Sequence, residues 1–173
     1  TLTLNGVVSG GAVSLDKTGS GTLELGGANT FTVPTTVSNG LLRLTGLGTL
    51  GNAADLNLTG GGFEIALGAG TKTIGSLSGS GTGVNLNNNT LEIASGSYSG
   101  VISGAGGVTK YGIGTLDLFG VNTYTGQSTI TGGVLKLSAA GILGANSPLN
   151  IGAAGGFEIA TGAGPKIIGT LTG

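Results

Sequence analysis

The sequence predicts an all-β fold, a parallel β-helix (β-solenoid) of about eight coils of roughly 19–28 residues each. Three observations lead to this prediction. The chain repeats itself at a long period, a short strand-like motif recurs inside that period, and 40 of the 173 residues are Gly. No stretch has the 3.6-residue periodicity of a helix, and Gly is a poor helix former. We expect residues 1–173 to form a single solenoid segment.

The long period is about 93 residues. Residues 17–58 match residues 110–151 with 19 identities in 42 positions. Residues 61–79 match residues 155–173 with 14 identities in 19. The chain therefore holds a first copy of a long repeat and an incomplete second copy, at about 17–109 and about 110–173.

The short motif is a small residue, any residue, and then an apolar, a polar and an apolar residue, as in Gly21-Thr22-Leu23-Glu24-Leu25. Alternation with period 2 is typical of a strand with one buried face. Successive motifs begin at positions 21, 40, 61, 89, 114, 133 and 155. This regular spacing favours solenoid coils over a sandwich or an up-and-down barrel, the alternatives that short strands and Gly-rich turns leave open. Further short strands are expected at Asp55–Leu58, Lys72–Ile74, Val84–Leu86, Val108–Lys110 and Asn150–Ile151.

The composition excludes several classes of function. The chain has no His, Cys, Met or Trp, only 8% charged residues and a net charge of −1. Disulfides, thiolate or imidazole metal sites and Ser-His-Asp catalysis are therefore excluded. No basic surface is available for nucleic acid, and no apolar run is long enough for membrane insertion as a helix. We expect no catalytic residue, no metal and no cofactor in this segment.

Seven of the thirteen charged residues occupy the polar position of the short motif, where the side chain points outward. They predict an outward charge ladder that sets register and solubility, made of Glu24, Arg43, Glu64, Glu92, Asp117, Lys136 and Glu158. The alternative is a cation site where Glu64, Glu92 and Asp117 converge.

Paired carboxylates also suggest glycoside hydrolysis, but that chemistry needs one protonated and one ionised carboxyl group in a cleft. A solvated ladder offers neither, and Arg43 is the only Arg that a lyase site could use. We expect no enzyme activity, and a carbohydrate-binding or carbohydrate-processing β-helix remains a lesser alternative. The repeat-equivalent aromatic pairs, Phe31 with Tyr124 and Phe63 with Phe157, are expected to pack in the core or at turns.

The stretch from Gly112 to Leu137, with Gly114-Thr115-Leu116-Asp117-Leu118 followed by Asn122-Thr123-Tyr124-Thr125-Gly126, closely resembles the autotransporter-associated β-strand repeat. The first copy, from Gly19 to Leu44, also fits and departs at Val33-Pro34, where the second copy has Gly126-Gln127. The residues that carry the resemblance are Gly21, Thr22, Leu23, Leu25, Asn29 and Thr30 in the first copy and Gly114, Thr115, Leu116, Leu118, Asn122, Thr123 and Tyr124 in the second.

The resemblance implies a right-handed β-helix in the passenger region of a Gram-negative autotransporter. It also implies an extracellular or cell-surface location and a C-terminal outer-membrane β-barrel in the same parent chain. The family's repeat is a scaffold without catalytic residues, so we expect a rigid stalk that presents adhesive or effector regions to a host-cell or glycan surface. The alternative is the repeat unit of a self-assembling extracellular filament or sheath. It would stack end to end, because Thr1–Leu4 and Gly169–Thr172 look like open strands without a polar cap.

Overall fold

The computed structural model describes residues 1–11, 14–31, 33–51, 54–144 and 146–173. Within these ranges the chain is all-β, with 18 short strands, and every pairing between them is parallel. In that part of the chain no helix is long and apolar enough to cross a membrane. The predicted fold class is confirmed as a β-solenoid of about eight turns, since one face of it holds eight successive strands.

The strands form three faces of the solenoid, which we name A, B and C. Face A consists of β1 (Leu2–Leu4), β3 (Thr22–Leu25), β5 (Leu41–Leu44), β7 (Gly62–Ile65), β9 (Gly83–Asn85) and β11 (Ile102–Ser103). Face B consists of β2 (Leu15–Lys17), β4 (Thr35–Val37), β6 (Leu56–Leu58), the second halves of β8 (Lys72–Gly79) and β10 (Thr90–Tyr98), and then β13 (Thr115–Leu118), β15 (Gly133–Leu137) and β17 (Gly155–Ile159). Face C consists of the first halves of β8 and β10 with β12 (Gly107–Lys110), β14 (Ser128–Ile130), β16 (Leu149–Ile151) and β18 (Leu171–Thr172).

Side chains alternate between the core and the surface along each strand. In β5, for example, Leu42 and Leu44 are buried, whereas Leu41 and Arg43 are half-buried on the outside. Register carries this alternation from coil to coil, so Leu42 packs between Leu23 below and Phe63 above. Each fully buried Leu or Ile contributes about 1.5–3 kcal/mol of hydrophobic stabilisation. The fold is therefore held by apolar columns that run parallel to the solenoid axis.

Coil length is more uniform than the motif spacings predict. Paired residues in successive coils lie 17 to 22 positions apart, from Ile93 and Lys110 at the short end to Leu149 and Leu171 at the long end. The two longest motif spacings flank the motif around Glu92. They do not measure one coil each, because this motif lies on face C and the motifs before and after it lie on other faces. Its neighbours in sequence lie on faces A and B.

The two copies of the long repeat are rotated relative to each other by one face. In the first copy the motif strands β3, β5 and β7 lie on face A, whereas their equivalents β13, β15 and β17 lie on face B. The isolated bridges Ala28–Thr49 and Val121–Ile142 are equivalent in sequence and follow these strands. The shift arises because the long period does not hold a whole number of coils, so equivalent strands return to a different face.

The strands that the sequence predicted are present as β6, β8, β9, β12 and β16. The continuations of β8 and β10 onto face B are unpredicted, because Gly residues interrupt their apolar pattern. Gly96 has φ +137°, and a Cβ there would lie 2.1 Å from the Leu77 carbonyl oxygen. Gly100 leaves room for the fully buried Tyr98 ring, since a Cβ at this glycine would lie 2.3 Å from the Tyr98 hydroxyl oxygen.

Candidate functional site

Three outward charges of the first copy, Glu24, Arg43 and Glu64, form one connected group on face A. The guanidinium of Arg43 bridges both neighbouring coils, with Nη1 2.8 Å from Oε1 of Glu24 and Nε 3.2 Å from Oε1 of Glu64. The hydrogen bond from Arg43 lowers the pKa of Glu24, and a second hydrogen bond from the Thr3 hydroxyl acts in the same direction. The row continues past Glu64 to two neutral residues, Asn85 and Ser103. An acid–base–acid triplet of this kind fixes register between three coils.

The outward charges of the second copy lie on face B and are less well connected. Lys136 lies between Asp117 and Glu158 in register, and its ammonium is 3.3 Å from Oε1 of Glu158. One carboxylate oxygen of Asp117, Oδ1, is buried without a hydrogen-bond partner among the described residues. Ser97 precedes Asp117 in this row.

Glu92 belongs to neither triplet, so the prediction of a single seven-residue ladder is wrong. It lies on face C between Thr73 and Thr109, and its carboxylate accepts a 2.7 Å hydrogen bond from the Thr73 hydroxyl. The alternative prediction of a cation site is also wrong, because Glu64, Glu92 and Asp117 lie on three different faces. Among the described residues no group of three acidic side chains is placed to hold a metal ion.

Two lysines of the repeat point into the apolar columns and bind backbone carbonyls at the turns. Lys110 is fully buried between Ile93 and Ile130, and its ammonium donates to the carbonyl oxygens of Tyr111, Gly112 and Gly132 at 2.6, 3.0 and 3.0 Å. The equivalent Lys17 donates to the carbonyls of Gly19 and Asn39, the latter at 3.1 Å. Burial lowers the pKa of Lys110, since its acceptors carry no full charge.

The turn that faces each lysine needs glycine. Gly40 and Gly133 have φ +69° and +64°, and a Cβ at either would lie within 2.7 Å of the lysine ammonium and of two carbonyl oxygens. Gly21 and Gly114 open the motif strands, and their carbonyls accept 3.1 Å hydrogen bonds from the strand of the next coil. The lysine and the glycines together close the turn between two faces.

The motif asparagines connect three coils each. Asn122 is buried and accepts a 2.9 Å hydrogen bond from the Ile102 amide of the preceding coil. It donates a 2.7 Å hydrogen bond to the Ile142 carbonyl of the following coil. Asn29 makes the equivalent bonds, with the Val8 amide and the Thr49 carbonyl, both at 2.7 Å. The side chain thus replaces strand pairing at a position where the backbone turns.

The motif tyrosine completes a buried hydroxyl cluster in the second copy. The Tyr124 hydroxyl lies 2.6 Å from that of Ser128, which lies 3.0 Å from that of Ser147. Burial raises the pKa of Tyr124 to about 12. The first copy has Phe31, Thr35 and Ala54 at these positions, and the Thr35 hydroxyl is buried without a partner among the described residues.

The remaining motif residues serve the strands and corners. Leu23, Leu25, Leu116 and Leu118 are core residues of β3 and β13. Thr22 and Thr115 are the first residues of those strands and point outward, and Thr30 and Thr123 are exposed beside the bridging asparagines. Of the two repeat-equivalent aromatic pairs, Phe31 and Tyr124 are both buried in the core. In the other pair Phe63 is buried, whereas Phe157 is only partly buried and packs against the core.

Neither the role of the two lysines nor the bridging role of the asparagines was predicted from the sequence. The sequence contained a signal for each role. Lys17 and Lys110 recur at equivalent positions in a chain with only six basic residues, and Asn29 and Asn122 are equivalent in the same way. A buried ammonium was unexpected, since a charged side chain at an inward position is costly unless it is hydrogen-bonded. The described residues thus form inter-coil contacts rather than a constellation of acid, base and nucleophile.

Comparison with known proteins agrees with this geometry. Residues 15–44 and 108–137 match the passenger-associated-transport-repeat family, and these ranges contain the two motif copies, Gly19–Leu44 and Gly112–Leu137. The chain is 38% identical over 145 residues to the adhesin BmaC autotransporter of Brucella suis biovar 1 (strain 1330). The match covers 79% of this chain and 4% of that protein, so the chain spans a small fraction of its relative's length. No solved structure matches the chain significantly.

Proposed function

Since the chain is a segment of autotransporter passenger β-repeats, displayed at the cell surface or outside the cell, we propose that it is a rigid stalk that holds adhesive or effector regions away from the cell. In general terms, the segment is part of the scaffold of a passenger region. The passenger context also implies an outer-membrane barrel elsewhere in the parent chain. We propose no catalytic step for this segment.

The observation that carries the proposal is the unbroken register of the coils. Three kinds of contact join one coil to the next: the apolar columns, the hydrogen bonds of the motif asparagines, and the hydrogen bond from the Lys110 ammonium to the Gly132 carbonyl. Bending the stack of coils would therefore break several contacts at once. Eight coils spaced about 4.8 Å apart give a rod on the order of 40 Å long. We further infer that residues 1–173 form one solenoid segment. The long strand β10 supports this, because it pairs with β8 of the first copy and with both β12 and β13.

Deleting the segment from the parent protein on the cell surface tests the proposal. A stalk predicts that the outer passenger region is still exported but lies closer to the membrane, and that adhesion falls. Replacing the segment with unrelated β-helical coils of equal length should restore adhesion, because only length and stiffness matter. Failure of that replacement, with normal display, would contradict a purely mechanical role.

Sedimentation velocity of the isolated chain addresses the filament alternative. A stalk segment remains monomeric over a wide concentration range, whereas a self-assembling subunit forms rods whose length grows with concentration. Growing rods would favour the filament over the stalk.

A further inference from the structure

A polar groove lies on the side of face C in the first copy, where the described residues form no strand before β8. It has a volume of about 290 Å³ and lies beside the bridge between Ala28 and Thr49. Three successive coils line it, the first with Asn29 and Thr30, the second with Thr49, Leu50 and Gly51, and the third with Thr71, Lys72 and Thr73. A concave site with a few convergent polar groups is the usual form of a ligand site.

The two copies of the repeat share the residues around this groove, including Thr30, which matches Thr123, but not its other three hydroxyl groups. Frame residues that are identical in the second copy are Asn29, Leu50, Gly51 and Lys72, matching Asn122, Leu143, Gly144 and Lys166. The hydroxyl positions differ, with Thr49, Thr71 and Thr73 replaced by Ile142, Pro165 and Ile167. Because Ile142 forms with Val121 the same bridge that Thr49 forms with Ala28, the fold does not require the Thr49 hydroxyl.

The groove offers hydrogen-bonding groups of both kinds. Lys72 is only 5% exposed. Its ammonium has three N–H donors, and among the described residues only the Gly46 carbonyl accepts a hydrogen bond from it, at 2.8 Å. Glu92 does not line the groove, but from the next coil its carboxylate accepts a 2.7 Å hydrogen bond from the lining residue Thr73. The hydroxyls of Thr30 and Thr71 have no hydrogen bond within the described part of the chain. One positive and one negative group therefore flank a set of neutral hydroxyls.

From this arrangement we propose that the groove binds a neutral saccharide chain lying along the solenoid axis. A sugar hydroxyl both donates and accepts, so it can satisfy the Lys72 ammonium and the Glu92 carboxylate. An acidic sugar would be attracted by Lys72 but repelled by Glu92, so its charge gives it no advantage over a neutral sugar. The coils are spaced about 4.8 Å apart, close to the length of one pyranose unit, so successive sugars meet successive threonines. The scaffold role does not depend on this site, and its failure would leave the stalk proposal intact.

Titration of the ¹⁵N-labelled chain with cellotetraose, maltotetraose and mannotetraose tests the proposal, with trigalacturonate as the acidic comparison. At least one neutral sugar should shift the backbone amides of Thr49, Thr71 and Thr73 selectively. We expect a Kd of about 1 mM, which corresponds to roughly 4 kcal/mol, since no aromatic side chain lines the groove. No shift at these residues with any neutral sugar up to about 10 mM, or stronger binding of trigalacturonate, would overturn the proposal.

Variants with residues of the second copy supply the control. Thr49→Ile with Thr73→Ile should weaken binding at least tenfold and leave the circular dichroism spectrum unchanged. The matched variant, Thr36→Val with Thr129→Val, removes two outward hydroxyls from strands outside the groove and should bind normally. Equal loss in both variants, or no loss in the first, would contradict a site at the groove.

Discussion

At the scale of single residues, the two copies of the repeat act as a natural substitution experiment. Tyr124 and Phe31 occupy equivalent buried positions, but only Tyr124 has a hydroxyl that reaches Ser128. In the first copy the equivalent acceptor, the Thr35 hydroxyl, has no partner among the described residues. A buried hydroxyl without a partner costs free energy that one added group can recover.

Phe31→Tyr should therefore stabilise the chain. A hydrogen bond to Thr35 would raise the free energy of unfolding by about 0.5–1.5 kcal/mol, which urea denaturation can measure. The reverse change in the second copy, Tyr124→Phe, should lower it by a similar amount. If Phe31→Tyr destabilises the chain, the first copy has no space for the hydroxyl, and the equivalence of the two sites is wrong.

The tyrosines also predict how the chain responds to alkaline pH. Burial raises the pKa of Tyr124 to about 12 and raises the pKa of Tyr98 and Tyr111 as well. Their contribution to stability is fully present below the unfolded pKa of about 10 and is lost as pH rises toward the folded pKa. Phenolate absorbance should therefore appear above pH 10 together with the loss of the β-sheet circular dichroism signal. Ionisation near pH 10 by a chain that stays folded would contradict the burial of these rings.

At the scale of strands and turns, the inter-coil contacts lie where the backbone leaves the sheet. Asn122 holds Ile102 of one coil and Ile142 of another. Lys110 links the turn at Gly112 to the turn at Gly132 in the next coil. These elements carry the family motif because each satisfies backbone groups that strand pairing leaves open.

Removing a bridging asparagine should cost much more than removing an outward one. Asn122→Ala leaves a buried amide and a buried carbonyl without their partner, so the free energy of unfolding should fall by about 2–4 kcal/mol. Asn150→Ala, on the outward side of β16, should change it by less than about 0.5 kcal/mol. Thermal or urea unfolding of the two variants gives the comparison. Equal effects would show that Asn122 is not a structural bridge.

Also at this scale, the sequence predicted strands well and their faces poorly. Period-2 alternation located strands such as β5 and β12 because it depends only on local burial. The position of Glu92 could not be predicted in this way, because its face depends on the accumulated length of all preceding coils. The buried ammonium of Lys110 was missed for a related reason, since one of its acceptors comes from a turn in the next coil, at Gly132.

At the scale of the whole molecule, the rotation between the two copies places equivalent strands of the repeat on different faces of the solenoid. The Arg43 triplet lies on face A and the Lys136 pair on face B, so neither face accumulates like charges along its length. The same rotation places Ala28 and Thr49, which border the groove of the first copy, and their equivalents Val121 and Ile142 on different faces. A solenoid built in this way presents different side chains in different directions on one frame.

Disulfide cross-linking tests this account most directly, because the chain has no Cys of its own. Neighbouring outward residues on parallel strands lie about 4.8 Å apart, which a disulfide can span. The pair Glu92→Cys with Thr109→Cys should oxidise rapidly to a monomeric disulfide, whereas Glu92→Cys with Asp117→Cys should retain two free thiols. Rapid cross-linking of the second pair and not the first would contradict the three-face register and restore a single charge ladder.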